Sequence, residues 1–225
     1  MLFQTFRRCL GLGLLLIGGM TPVWAREGGE AATPITVSVY DDAGVGLAAM
    51  QEAEGISSTV FAKAGLEMHW LNCEINGELT HASAECGRAR FPANLQLRFL
   101  RRPRDLNPDI FGVSYLNANG EGCYSQVFVE PIERLRGRFP ISLGTLLGNV
   151  ATHELAHLLL GTNSHTALGI MRAHWGPKEL ESANMGALRF YSEQRERIAV
   201  RVAAALERNE RLAMASVSHC NVPAD

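Results

Sequence analysis

The chain has 225 residues, 21 basic and 23 acidic, with a formal net charge of −2. Hydrophobic residues make up 47% and charged residues 20%, a composition that fits a folded globular protein and excludes a disordered or collagen-like one. This near-balance of charge gives no footing for nucleic acid or an anionic membrane as a partner. The arginine clusters at 98–104 and 134–138 read as solvated strand ends and loops.

Residues 1–25 read as a secretory signal. Arg7 and Arg8 form a positive start, Leu10 to Met20 is a short apolar run, and Val23-Trp24-Ala25 ends on a small residue suited to cleavage. The run is too short to span a bilayer, so the mature chain is expected in the periplasm or outside the cell, with no membrane association after cleavage. Residues 26–225 are then a single domain. Its opening tail, Arg26 to Thr33, is too short to be a folded inhibitory segment. Beyond Cys9 of the signal there are four cysteines, an even count that in an exported chain favours disulfides. The polar loop around Asn76 and Gly77 suggests Cys73 with Cys86, which leaves Cys123 for Cys220.

In chain order, Ile35 to Tyr40 alternates β-branched and polar residues and predicts a strand. Asp41 to Gly44 turns, Leu47 to Ala64 follows a helical pattern, and Gly65 closes it. Leu66 to Ile75 and Leu95 to Leu100 predict further strands, with a proline-bearing loop at 103–109. Gly112 to Leu116 and Ser125 to Val129 predict a hairpin joined by a polar, glycine-bearing turn. Ser142 is placed to cap a long helix from Leu143 that is apolar nearly all round, hence central and buried, and Gly161 is placed to end it. Pro177 opens a second helical region. Leu188, Tyr191, Ile198, Val202 and Leu206 recur at helical spacing and carry helix toward Cys220. The order predicts an α+β domain: a small mixed sheet with a long helix, then a buried helix, a loop and C-terminal helices.

The buried helix contains His153-Glu154-Leu155-Ala156-His157, an H-E-x-x-H pattern. Histidines four apart share one helical face, so both imidazoles can reach one zinc ion, and Glu154 can take a proton from a water on that ion. Gly161 breaks the helix, and Thr162-Asn163-Ser164 offers a turn that brings back a third histidine, His165. His174, Glu179 and Glu181 are the other candidates for the third ligand. The reading that sets all this aside is a pair of core histidines with satisfied hydrogen bonds.

On these residues the chain resembles the zincin metallopeptidases, and within them the metzincins. There a helix gives two histidines, a glycine turns the chain, and a third histidine completes the site above a methionine turn. Gly169-Ile170-Met171 resembles that turn, although Met171 also fits a core methionine filling space. The stretch from Leu159 to His165, continued through Met171 to Trp175, is similar to a group of exported bacterial H-E-x-x-H proteins. These also carry strands like Phe111 to Ser114 and Val127 to Glu130. The spacing departs from the metzincin motif: Gly161 and His165 stand eight and twelve residues after His153, where that family has seven and ten. A glutamate as third ligand would instead resemble the gluzincin plan.

The resemblance implies a secreted zinc metallopeptidase with one catalytic zinc on His153, His157 and His165. Glu154 would be the general base, and the substrate a protein or peptide laid along an edge strand, expected at Ser125 to Val129. Tyr191 is a candidate oxyanion donor, with core packing as its alternative. Two other functions stay open: a catalytically inactive binding protein of the same fold, and a zinc hydrolase of another amide or ester.

Overall fold

The computed structural model describes residues 32–75, 78–79, 84–102, 107 and 109–217. The expected signal segment, most of the 103–109 loop, Cys220 and the chain after Val217 lie outside the described residues.

Strand β1 (Thr33–Asp41) is the centre of the sheet. Its alternation puts Ile35, Val37 and Val39 into the core, each fully buried. Helix α1 (Leu47–Ala62) follows, and β2 (Leu66–Ile75) returns parallel to β1. Asp41 holds the entry to α1, its buried carboxylate accepting from the backbone N–H groups of Val45 and Gly46. The two-residue strand β3 (Glu78–Leu79), where only a loop was expected, pairs antiparallel with β2. Strand β4 (Asn94–Leu100) pairs parallel with β1 on its other side. The hairpin strands β5 (Gly112–Tyr115) and β6 (Tyr124–Phe128) complete a six-stranded mixed sheet of order β3-β2-β1-β4-β6-β5.

That order corrects one expectation. The segment from Ser125 is not an edge: β6 pairs parallel with β4, so its hairpin partner β5 is driven outward and becomes the free edge. Val129, expected to end this strand, starts helix α2 (Val129–Arg136) instead. Val127, Phe128 and Val129 continue the strand-forming composition, and Pro131 follows two residues later. A proline in the first helical turn, however, occupies a position whose N–H has no helical partner.

Helix α3 (Leu143–Leu160) fills the space between α1 and the β5–β6 hairpin, and nearly every residue from Gly144 to Leu160 is buried. Ser142 caps it as expected, accepting from the Thr145 N–H at 2.9 Å, and the Glu52 carboxylate of α1 accepts from the Ser142 and Thr145 hydroxyls. Gly148 lets the two helices touch. A Cβ there would stand 2.7 Å from the Ala53 carbonyl oxygen. Gly161 ends α3 in the left-handed conformation at φ 67°, its N–H bonded to the His157 carbonyl.

Helices α4 (Pro177–Asn184) and α5 (Ser192–Val217) divide the C-terminal region that the sequence reads as mostly helical. Ile198, Val202 and Ala205 of α5 are buried. Arg201 crosses from α5 to bond the Leu159 and Gly120 carbonyls and lies over the Phe91 ring. Cys73 and Cys86 form the expected disulfide, with sulfurs 2.05 Å apart, while the partner expected for Cys123 lies outside the described residues.

Gly161→Ala is expected to destabilise the fold by roughly 1–2 kcal/mol for the left-handed backbone alone. The built Cβ would also stand 2.4 Å from the Arg201 guanidinium carbon, which must then move. Urea unfolding of the variant beside wild type checks this.

Candidate metal centre

His153 and His157, one turn apart on α3, turn their rings toward the 161–176 segment that leaves its C-terminus. Each ring is fixed by a backbone carbonyl of that segment. His153 Nδ1 lies 2.7 Å from Ile170 O, and His157 Nδ1 lies 2.7 Å from Thr162 O. A carbonyl oxygen only accepts, so both Nδ1 atoms carry hydrogen. In neutral imidazoles, both Nε2 atoms are then bare lone pairs, and they face each other at 3.0 Å. Two acceptors at that distance need a shared proton or a cation. Burial opposes the proton, pushing His153 down to about 3 and lowering His157 as well. Tetrahedral zinc with Zn–N bonds of about 2.0–2.1 Å sets ligand nitrogens roughly 3.3 Å apart, so these two imidazoles fit it.

His165 closes the group. Its ring stacks on His153 with centroids 5.2 Å apart and stands edge-on to His157 at 4.9 Å. One nitrogen from each of the three rings lies within 4.8 Å of the others, and His165 opens to solvent while its partners are buried. The two extra residues of the loop are absorbed at 162–164, where the Thr162 hydroxyl accepts from the Ser164 N–H at 3.1 Å and donates to its hydroxyl at 2.9 Å. Downstream, the Thr166 N–H bonds Met171 O at 2.9 Å, and Gly169 turns the chain at φ 77°. Ile170 and Met171 are fully buried, anchoring this turn in the core.

The other third-ligand candidates do not join the cluster. Glu179 is engaged by Arg172 and by the Gly176 N–H at 2.9 Å, and Glu181 is exposed. His174 lines the same cavity, and its charge, after burial, is the second influence lowering His165. Tyr191 is neither core nor cavity: 43% exposed, it packs beside Gly169 over a separate surface groove with Arg195. Helical spacing suggested a buried face, but Tyr191 precedes α5 and so does not share that periodicity.

Glu154 lies on the neighbouring face of α3, 5% exposed, at a cavity of about 400 Å³ that the three histidines also line. Burial pushes its carboxyl up to about 7, against the hydrogen bond from Ser114, which favours the ionised form. Apolar walls come from Ile110, Phe111, Val113, Val150 and Trp175, the last edge-on to His153. Gly112 and Ser114 of β5 contact Glu154 directly, a role the sequence did not reveal. The predicted strands carried no signal for it, because the register that sets Ser114 opposite Ser125 comes from the β5–β6 pairing.

No family model matches the chain, and no curated protein matches it. Among solved structures it is similar to a zinc-dependent peptidase from Methanocorpusculum labreanum (strain Z), with 13% sequence identity and a TM-score of 0.47 over 72% of this chain and 99% of that one.

Proposed function

We propose that this protein is an exported zinc-dependent metallopeptidase, metzincin-like in its ligand order, with one zinc on His153, His157 and His165. One observation carries the reading: two buried Nε2 lone pairs face each other at 3.0 Å while both Nδ1 atoms are tied to carbonyls, and a third imidazole closes over them. Zinc supplies an acidified water and a Lewis acid for a substrate carbonyl.

The rest is done by the chain. The Ile170 and Thr162 carbonyls hold the ligand rings in one tautomer and orientation. Glu154, at the same cavity, takes a proton from the attacking water and returns it to the leaving amine. The apolar walls suit an uncharged side chain of the substrate. The free edge of β5 borders this cavity and offers backbone groups to an extended peptide. Export is supported by the Cys73–Cys86 disulfide, since such bonds persist in oxidising compartments. Among the described residues no helix is long and apolar enough to cross a membrane. A general base beside the ligand cluster favours catalysis over a metal-binding module without it.

Protein expressed with zinc and purified without chelator is expected to hold about one zinc per chain. His165→Ala is expected to hold much less, and wild type to cleave members of a broad peptide library. Metal-free wild type under those conditions would refute the reading. Full zinc retention in His165→Ala would remove His165 from the ligand set.

A further inference from the structure

Two residues of the edge strand meet Glu154, and they are two apart, so they share one face of β5. Ser114 Oγ lies 2.7 Å from Glu154 Oε2 and 2.7 Å from the Glu154 backbone oxygen. Gly112 lies against the other side of the same carboxylate: a Cβ built on it would stand 2.6 Å from Glu154 Cγ and 2.6 Å from Oε1. Behind Ser114 stands Ser125, its register partner on β6, with the two hydroxyl oxygens 3.0 Å apart. Ser125 is fully buried, and its Oγ is also 3.4 Å from the Glu154 backbone oxygen.

In the ionised form, the one that can act as a base, the hydrogen count fixes the directions. An ionised carboxylate only accepts, and each serine has one hydrogen to donate. The Ser114 hydrogen goes to Oε2, and the Ser125 hydrogen then serves the Ser114 oxygen or the Glu154 carbonyl. In a buried setting this chain leaves one carboxylate oxygen fastened and the other, over Gly112, without a partner among the described residues.

We propose that Ser114, backed by Ser125 and given room by Gly112, is a positioning residue that fastens Oε2 of Glu154 so that Oε1 is the oxygen presented to the cavity. The inference rests on the hydrolytic role assigned above to Glu154. It assigns no chemistry to the serines; they act only through the carboxylate. Among the described residues no other hydrogen bond holds this carboxylate. The Glu154 side chain projects from a helix toward a strand forty residues away in sequence, and a carboxylate with free torsions samples orientations that do not face the reacting water.

Ser114→Ala is expected to lower kcat about tenfold to a hundredfold, the range a displaced catalytic group produces, with KM changed by less than about twofold and zinc content unchanged. Ser114→Thr, which keeps the donor, is expected to recover most of the loss. Should Ser114→Ala fail to fold, Ser114→Cys keeps the volume while weakening the donor and is expected to show the same kcat loss. The second readout needs no metal and no activity. In a crystal structure of metal-free Ser114→Ala, the Glu154 carboxylate is expected to leave its place over Gly112. An unchanged kcat in the variant that folds, or a Glu154 side chain that stays where it is, would overturn the proposal. A wild type without hydrolytic activity would instead sink the peptidase reading, and the Glu154 coordinates in the variant would still decide the role of Ser114.

Discussion

Replacing Glu154 by glutamine is expected to leave zinc bound while lowering peptide hydrolysis by about 10²–10⁴-fold, the contribution of a positioned general base. Glutamine keeps the shape and the Ser114 contact but cannot take the proton. The same substitution has a second, independent signature in the metal-free protein. Burial raises the Glu154 carboxyl to about 7 from its ordinary 4.5, so the folded state holds a proton that the unfolded chain has already released between those values. Wild type therefore loses stability as pH rises through that window, while the glutamine variant does not. The variant is expected to match wild type near pH 4 and to exceed it by about 3 kcal/mol at pH 8. Chelator-treated protein unfolded in urea across this range would measure the difference. A gap that is constant with pH would show that Glu154 is not the group described. Unchanged hydrolysis would end its role as base.

His157→Ala is the second large effect. It removes one of the two facing Nε2 atoms and leaves His153 with only the solvent-exposed His165 beside it. Zinc content is expected to fall from about one ion per chain toward zero, and hydrolysis to vanish with it, because a site with two imidazoles lacks the three protein ligands that catalytic zinc requires. Stability gives a further reading. Zinc at a hundred times its Kd stabilises the folded protein by about 2.7 kcal/mol, which for a domain of this size raises Tm by roughly 5–10 °C. That rise is expected in wild type and absent in His157→Ala. A variant that still gains it would place the metal elsewhere.

Much of the site could be read along the chain because it is local. His153, Glu154 and His157 fall within one helical turn, and the helix announces itself through continuous apolarity, Ser142 at its start and Gly161 at its end. All three features stand in the structure as the residues suggested. The strand limits of Leu66 to Ile75 follow from alternation, and the Cys73–Cys86 pair from a short polar loop. Helix α2 was obscured by the strand-forming lead-in Val127-Phe128-Val129, and Tyr191 by a helical spacing that runs back beyond the start of α5.

By itself, then, the sequence determined a buried helix bearing two histidines and a carboxylate, because the 3.6-residue period and the capping rules act between near neighbours. Only the tertiary structure brought His165, rather than His174, Glu179 or Glu181, beside the two helix histidines, made β5 rather than β6 the free edge, and set Ser114 and Gly112 against the carboxylate. Those contacts join segments eight to forty-two residues apart. They arise from how a parallel strand pair orders its hairpin and how a loop folds back on a helix end, and no periodicity in the chain encodes either.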